Sequence, residues 1–143
     1  MTAQPAYVPT AIERTAPLVD LTAPDPVDAR RATRQLLLDG GLSHDAEEGL
    51  VGAVSEVVTN ADLHGRPPVR VRGWMIDGEA VITVTDHGPG PSDPEAGMRP
   101  ATRGQGEGGF GLWLAHQLCD EVVMGCDHDL FTVRLVARSP RPA

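Results

Sequence analysis

The chain contains no lysine; all twelve of its basic residues are arginine. That absence excludes a P-loop, whose glycine-rich GxxxxGK turn needs its lysine on the phosphates. It excludes the strand lysine of the protein-kinase fold as well. A nucleoside triphosphate held here must be held by magnesium, backbone amides or arginine. Cysteine is scarce: Cys119 and Cys126 are too few for a disulfide framework. There is no long apolar run, which predicts no membrane-spanning helix. Met1 to Pro9 lacks the basic and then apolar pattern of a secretory signal. A cytoplasmic protein is the simplest expectation. Positive charge is in the minority, with a net charge of −8. That speaks against a nucleic-acid binder, which needs a basic stripe, and is compatible with a basic protein partner. The 143 residues suffice for one domain with one core.

What is present divides the chain into a tail, a domain and a second tail. Residues 1–15 are polar and proline-rich and read as a flexible N-terminal tail. The domain is expected over 16–137, with 138–143 as a C-terminal tail. Leu18, Val19 and Leu21 mark a first strand within Ala16 to Thr22. Asp25 or Asp28 can cap a helix running to about Asp39, where Gly40-Gly41 end it. Ser43 caps a longer helix to about Leu63, stopped at His64-Gly65. Leu50, Val54, Val57 and Ala61 form its apolar stripe. Val69, Val71 and Gly73 alternate with Arg70 and Arg72 and begin a strand through Ile76; Asp77-Gly78 is a hairpin signal; Ala80 to Thr85 is an apolar strand. From Asp86 to Gly108 little is periodic, and a stretch of that length suggests a lid or binding loop. Gly109 to Cys119 reads as a helix with Leu112, Ala115 and Leu118 on one side. Glu121 to Gly125 and Leu130 to Ala137 read as a closing strand pair.

Two segments carry chemistry. The first is Ser55-Glu56-Val57-Val58-Thr59-Asn60-Ala61. Glu56 and Asn60 stand four residues apart and share a helix face that flanks the apolar stripe. A carboxylate there can accept a proton from a hydroxyl, and a carboxamide oxygen is a hard ligand suited to magnesium. A solvated helix edge would explain Glu56 equally well, but asparagine inside a helix is less easily explained, because it favours caps and turns. The second segment is Asp86-His87-Gly88-Pro89-Gly90, followed by Gly106-Glu107-Gly108-Gly109-Phe110-Gly111-Leu112. An acid at a strand end can accept from the exocyclic amine of adenine, a group guanine lacks at that position; it can also simply open a turn. Glycines before a helix offer amides to phosphate, or serve as a linker. Arg99 and Arg103 within the loop can reach phosphate or serve solubility. His116, Cys119, Cys126 and His128 lack the short ligand pairs of a zinc site.

Taken in order, these motifs resemble the GHKL or Bergerat ATP-binding domain of gyrases and histidine kinases, over about residues 15–137. Within that group the chain is most similar to the stand-alone serine/threonine kinases that act as bacterial anti-sigma factors. The resemblance implies an α+β fold: a two-layer sandwich whose mixed, mostly antiparallel sheet is covered on one face by three helices. It assigns Glu56 as general base, Asn60 as magnesium ligand and Asp86 as the adenine contact. Gly88 and Gly90 would then let the backbone approach the base. Gly106 and Gly108, with the second glycine box Gly109-Phe110-Gly111-Leu112, would hinge the lid and contact the triphosphate. The cofactors implied are ATP and Mg²⁺. The partners implied are a sigma factor and an anti-sigma antagonist of the STAS type, the latter being the phosphate acceptor, with a homodimer as the possible assembly and a role in transcription regulation. The alternatives are a non-catalytic ATP-binding regulatory module and an ATPase with water as acceptor. Two departures stand out. The family's last strand often opens with Gly-Thr, whose threonine helps hold the adenine acid; here the segment is Leu130-Phe131-Thr132, so Thr132 substitutes in shifted register or the contact is lost. Asp62 follows Asn60-Ala61 where relatives place an apolar or basic residue.

Overall fold

The computed structural model describes residues 5–90 and 115–139. Five strands form one sheet: β1 (Val19–Thr22), β2 (Arg70–Ile76), β3 (Glu79–Asp86), β4 (Glu121–Asp127) and β5 (Leu130–Arg138). Their order is β1-β2-β3-β5-β4, and every neighbouring pair is antiparallel. The parallel component expected of a mixed sheet is reduced, among the described residues, to a single bridge between Ala6 and Cys126. Helices α1 (Pro26–Leu37) and α2 (His44–His64) cover one face. Of the third helix, residues 115–118 form the described last turn. The architecture is the expected α+β sandwich.

Local sequence explains the element boundaries. The Asp25 side chain caps α1 by accepting from the Asp28 N–H at 2.8 Å, and Pro26 follows it at the first turn. Ser43 Oγ caps α2 by accepting from the Ala46 N–H at 3.1 Å. Removing this cap in a Ser43→Ala variant should cost about 1 kcal/mol of stability, read from the urea midpoint with an unchanged slope. The β2–β3 hairpin turns at Asp77 (φ 52°) and Gly78 (φ 75°), the left-handed pair that matches strand twist.

The α2 stripe Leu50, Val54, Val57 and Ala61 is buried throughout. It packs with Leu37 of α1 on Val71, Ile82, Val84, Val133 and Leu135 of the sheet. Ala115 joins this core, but Leu118, expected on the same side, is 43% exposed. The last turn approaches α2 through backbone instead: a Cβ on Gly49 would lie 2.9 Å from the Leu118 carbonyl oxygen.

The N-terminal segment corrects the expectation of a free tail. From Pro5 onward it lies on the sheet. Ile12 packs on a second apolar cluster of Trp74, Val81 and Val136, and Trp74 Nε1 donates to the Thr15 carbonyl at 3.0 Å. Trp74, Val81 and Val136 belong to the strand faces turned away from the helices, so the segment covers apolar surface that the helices leave open. At the other end β5 runs to Arg138, and the Ser139 N–H donates to the Gly78 carbonyl, so ordered pairing reaches past residue 137.

Candidate functional site

Asp86 is the last residue of β3 and only 4% exposed. Strand alternation turns it toward the helical layer, as it does Val84 and Ile82. Its Oδ1 accepts from the Gly88 N–H at 2.6 Å and from the Arg66 N–H at 3.3 Å. Both bonds fall on one oxygen. The His87 N–H donates to the Arg66 carbonyl at 2.9 Å, so the turn after β3 and the exit from α2 are laced together.

Gly65 explains how close that approach is. It caps α2, its N–H donating to the Ala61 carbonyl at 2.9 Å. A Cβ at this position would sit 2.5 Å from Asp86 Cγ and 2.6 Å from both carboxylate oxygens. Only glycine lets the helix end lie against the carboxylate. From sequence, Gly65 reads as a helix stop and nothing more. A helix stop and a close approach place the same demand on local sequence, so no separate signal was available.

Glu56 and Asn60 lie on α2, half-buried, one turn apart, with Asn60 one turn before the end of the helix that meets Asp86. Next to Glu56, Ser55 Oγ accepts from Arg30 Nη1 of α1 at 2.8 Å, which ties this part of α2 to the neighbouring helix. Asn60 offers a hard oxygen donor on the helix that leads to the buried acid. A carboxamide oxygen is ligand chemistry that suits magnesium better than a softer metal.

The loop after Asp86 folds back over the end of the sheet. Gly90 has φ 76°, and a Cβ on it would lie 2.5 Å from the Phe131 ring. Cys126 Sγ donates to the Pro89 carbonyl at 3.7 Å. Phe131 is the register partner of both Asp86 and Cys126, so these three side chains form one cross-strand row beneath the loop. Burial raises the Cys126 thiol pKa, and the charge of Asp86 adds to the effect. The alignment of Phe131 and Cys126 with Asp86 was not legible in the sequence, because pairing across three strands leaves no local mark.

The register also decides the role of Thr132. It pairs with Thr85, and the two hydroxyls are 3.0 Å apart on the sheet face opposite Asp86. Thr132 therefore does not hold the acid; backbone N–H groups of Arg66 and Gly88 do. Asp62 is exposed, with its carboxyl pKa raised by partial burial and then by the Asp25 carboxylate. His64 closes α2 and is exposed. Cys119 packs against the core, its thiol pushed up to about 12 by burial, while His128 sits in the exposed β4–β5 turn. Among the described residues, no three His, Cys, Asp or Glu side chains gather into a metal-holding group. Likewise, no described helix is long and apolar enough to cross a membrane. Gly106, Gly108, Gly109, Gly111, Leu112, Arg99, Arg103 and most of the expected lid lie outside the described residues.

The comparisons agree with this fold. The family model of the histidine kinase-like ATPase domain matches residues 22–136. The crystal structure of the RsbU and RsbW domains of Rv1364c from Mycobacterium tuberculosis is similar at 25% identity and TM-score 0.61, over 90% of this chain. This chain spans about a third, 34%, of that one. The histidine kinase domain of a blue-light activated histidine kinase from Erythrobacter litoralis is similar in fold, at 18% identity and TM-score 0.54, over 93% of this chain and 66% of its own. No significant match is found among curated proteins. With most of its length matched by the family model, and with the α+β fold of such domains, the chain belongs to the histidine kinase-like ATPase domain family.

Proposed function

We propose that the domain binds ATP with Mg²⁺ and works as a serine/threonine kinase of the anti-sigma type. Its acceptor would be a serine or threonine hydroxyl of an anti-sigma antagonist of the STAS type, and a sigma factor would be the partner it sequesters. Family membership supports an ATP-binding regulatory module. The observation that carries the finer reading is the seating of Gly65 against Asp86. It brings the end of the helix that bears Glu56 and Asn60 against the buried acid, which supports reading the three residues as parts of one site. The family and the RsbW-containing relative support kinase or ATPase activity.

In this reading, Asp86 would read adenine with its second carboxylate oxygen, while Oδ1 stays occupied by the backbone N–H groups. Asn60 would hold Mg²⁺, and Glu56 would take the proton from the attacking hydroxyl. Mg²⁺ would supply charge neutralisation at the phosphates. Positioning and charge neutralisation carry most of phosphoryl transfer, so few side chains are needed.

Phosphotransfer from radiolabelled ATP, with candidate antagonists and a control lacking any partner, tests the reading. Label on a partner serine or threonine supports the kinase. Phosphate release without a partner favours the ATPase, and binding without turnover favours the regulatory module. The metal assignment has its own test. Asn60→Ala should weaken ATP binding about tenfold in Mg²⁺, about 1.4 kcal/mol, and far less in EDTA. An equal effect in both buffers removes Asn60 as the metal ligand.

A further inference from the structure

Residues 5–15 do more than cover apolar surface. Around Ala6 the chain runs parallel to the outer edge of β4. The Cys126 N–H donates to the Pro5 carbonyl at 2.8 Å, and the Tyr7 N–H donates to the Cys126 carbonyl at 2.9 Å. Gly125 permits this approach, since a Cβ there would lie 2.8 Å from the Tyr7 nitrogen. The segment is pinned by a buried polar cluster. The Arg134 guanidinium reaches Glu13 Oε2 at 3.1 Å and the Val8 carbonyl at 3.3 Å, and lies 5.6 Å from the centre of the Tyr7 ring. The Tyr7 hydroxyl donates to Glu13 Oε1. The Arg134 and Glu13 side chains are 9% and 5% exposed, so this pair is sheltered from screening.

The residue clamped by the segment also touches the loop after Asp86. Cys126 is held by Pro5 and Tyr7 through its backbone, and its Sγ donates to Pro89 on the far side of the strand. Phe131, beside it in the row, carries Gly90. We propose that the N-terminal segment is a positioning strap for the nucleotide site: docked, it fixes the β4 edge and Cys126, and through them the Asp86–Gly90 loop that the proposed reading places at adenine. Cys126 acts here as a positioning residue. The coupling is reciprocal, so a nucleotide that needs the ordered loop also favours the docked strap. Whatever peels the strap away would lower nucleotide affinity from the opposite face of the sheet. This inference rests on the ATP-binding reading, and its test separates the two.

The test uses a variant lacking residues 1–8, which removes the Pro5–Tyr7 clamp and leaves Glu13 on Arg134. It also uses Cys126→Ala, Cys126→Ser, and the truncation combined with Cys126→Ala. ATP affinity should fall about fivefold in the truncation and in Cys126→Ala, the worth of roughly one hydrogen bond. Cys126→Ser, which keeps a donor, should recover most of the loss. The double variant should lose little more than either single one, because both cut the same connection. Hydrogen exchange at the His87 and Gly88 amides should quicken in the truncation without any nucleotide present. Wild-type affinity together with unchanged exchange in the folded truncation overturns the strap, and so do fully additive losses. If the truncation does not fold, Gly125→Ala, whose Cβ would lie 2.8 Å from the Tyr7 nitrogen and push the segment off the edge of β4, takes its place with the same expected losses. A wild type that binds no ATP sinks the nucleotide reading, and exchange then decides the strap alone.

Discussion

Glu56→Gln is expected to bind ATP as the parent protein does and to transfer phosphate about 10² to 10⁴-fold more slowly, the usual effect of losing a general base. The substitution keeps the size and shape of a half-buried helical side chain, so α2 and its core stripe should be undisturbed. It removes only the ability to take a proton. Because the proposed base meets the acceptor hydroxyl and not the nucleotide, KM for ATP should stay close to that of the parent while kcat collapses. Radiolabel transfer to a cognate antagonist, measured beside ATP titration, reads both quantities. Parental transfer rates in the variant would remove Glu56 from the mechanism. A parent protein that binds ATP and partner yet never transfers label would favour the regulatory module.

Asp86→Asn is expected to lose about 2 kcal/mol of ATP affinity, roughly 30-fold, without unfolding the domain. The backbone N–H groups of Gly88 and Arg66 need an acceptor, so the amide oxygen of asparagine should take the place of Oδ1. Its NH₂ group then stands where the second carboxylate oxygen was. There it meets the adenine amine donor to donor, and a buried polar pair of that kind leaves both groups unsatisfied. Guanine presents an acceptor at the equivalent ring position, so the ratio of ATP to GTP affinity should fall further than ATP affinity alone suggests. Isothermal titration with both nucleotides decides it. Parental ATP affinity in a folded variant would sink the adenine assignment.

The candidate site was legible in part because its side chains are specified by short segments. A carboxylate and a carboxamide four residues apart need only helical spacing to share a face. An acid at the end of an apolar strand needs only strand periodicity to be recognised. Gly65 shows the limit of this kind of reading. Its role depends on Asp86, twenty-one residues further along the chain, and the approach between them is set by how α2 packs on β3. Thr132 shows the same limit from the other side: a one-residue step in register moves a side chain to the opposite face, and sequence spacing does not report register.

By itself, the sequence determined the five strands and the first two helices to within a few residues, the cap at Ser43, the Asp77-Gly78 turn and the apolar stripe of α2, and it narrowed the first helix cap to Asp25 or Asp28. These depend on interactions within a turn or two of chain, which local residue choice controls. Only the tertiary structure decided that Asp86 is held by two backbone N–H groups rather than by Thr132. It alone decided that Phe131 and Cys126 underlie the following loop, and that the polar N-terminal segment is a strap. The physical reason lies in Tyr7, Glu13 and Arg134. Taken singly, each reads as a surface residue. Together, across more than a hundred residues of chain, they satisfy one another's charges and donors, and that makes their burial tolerable.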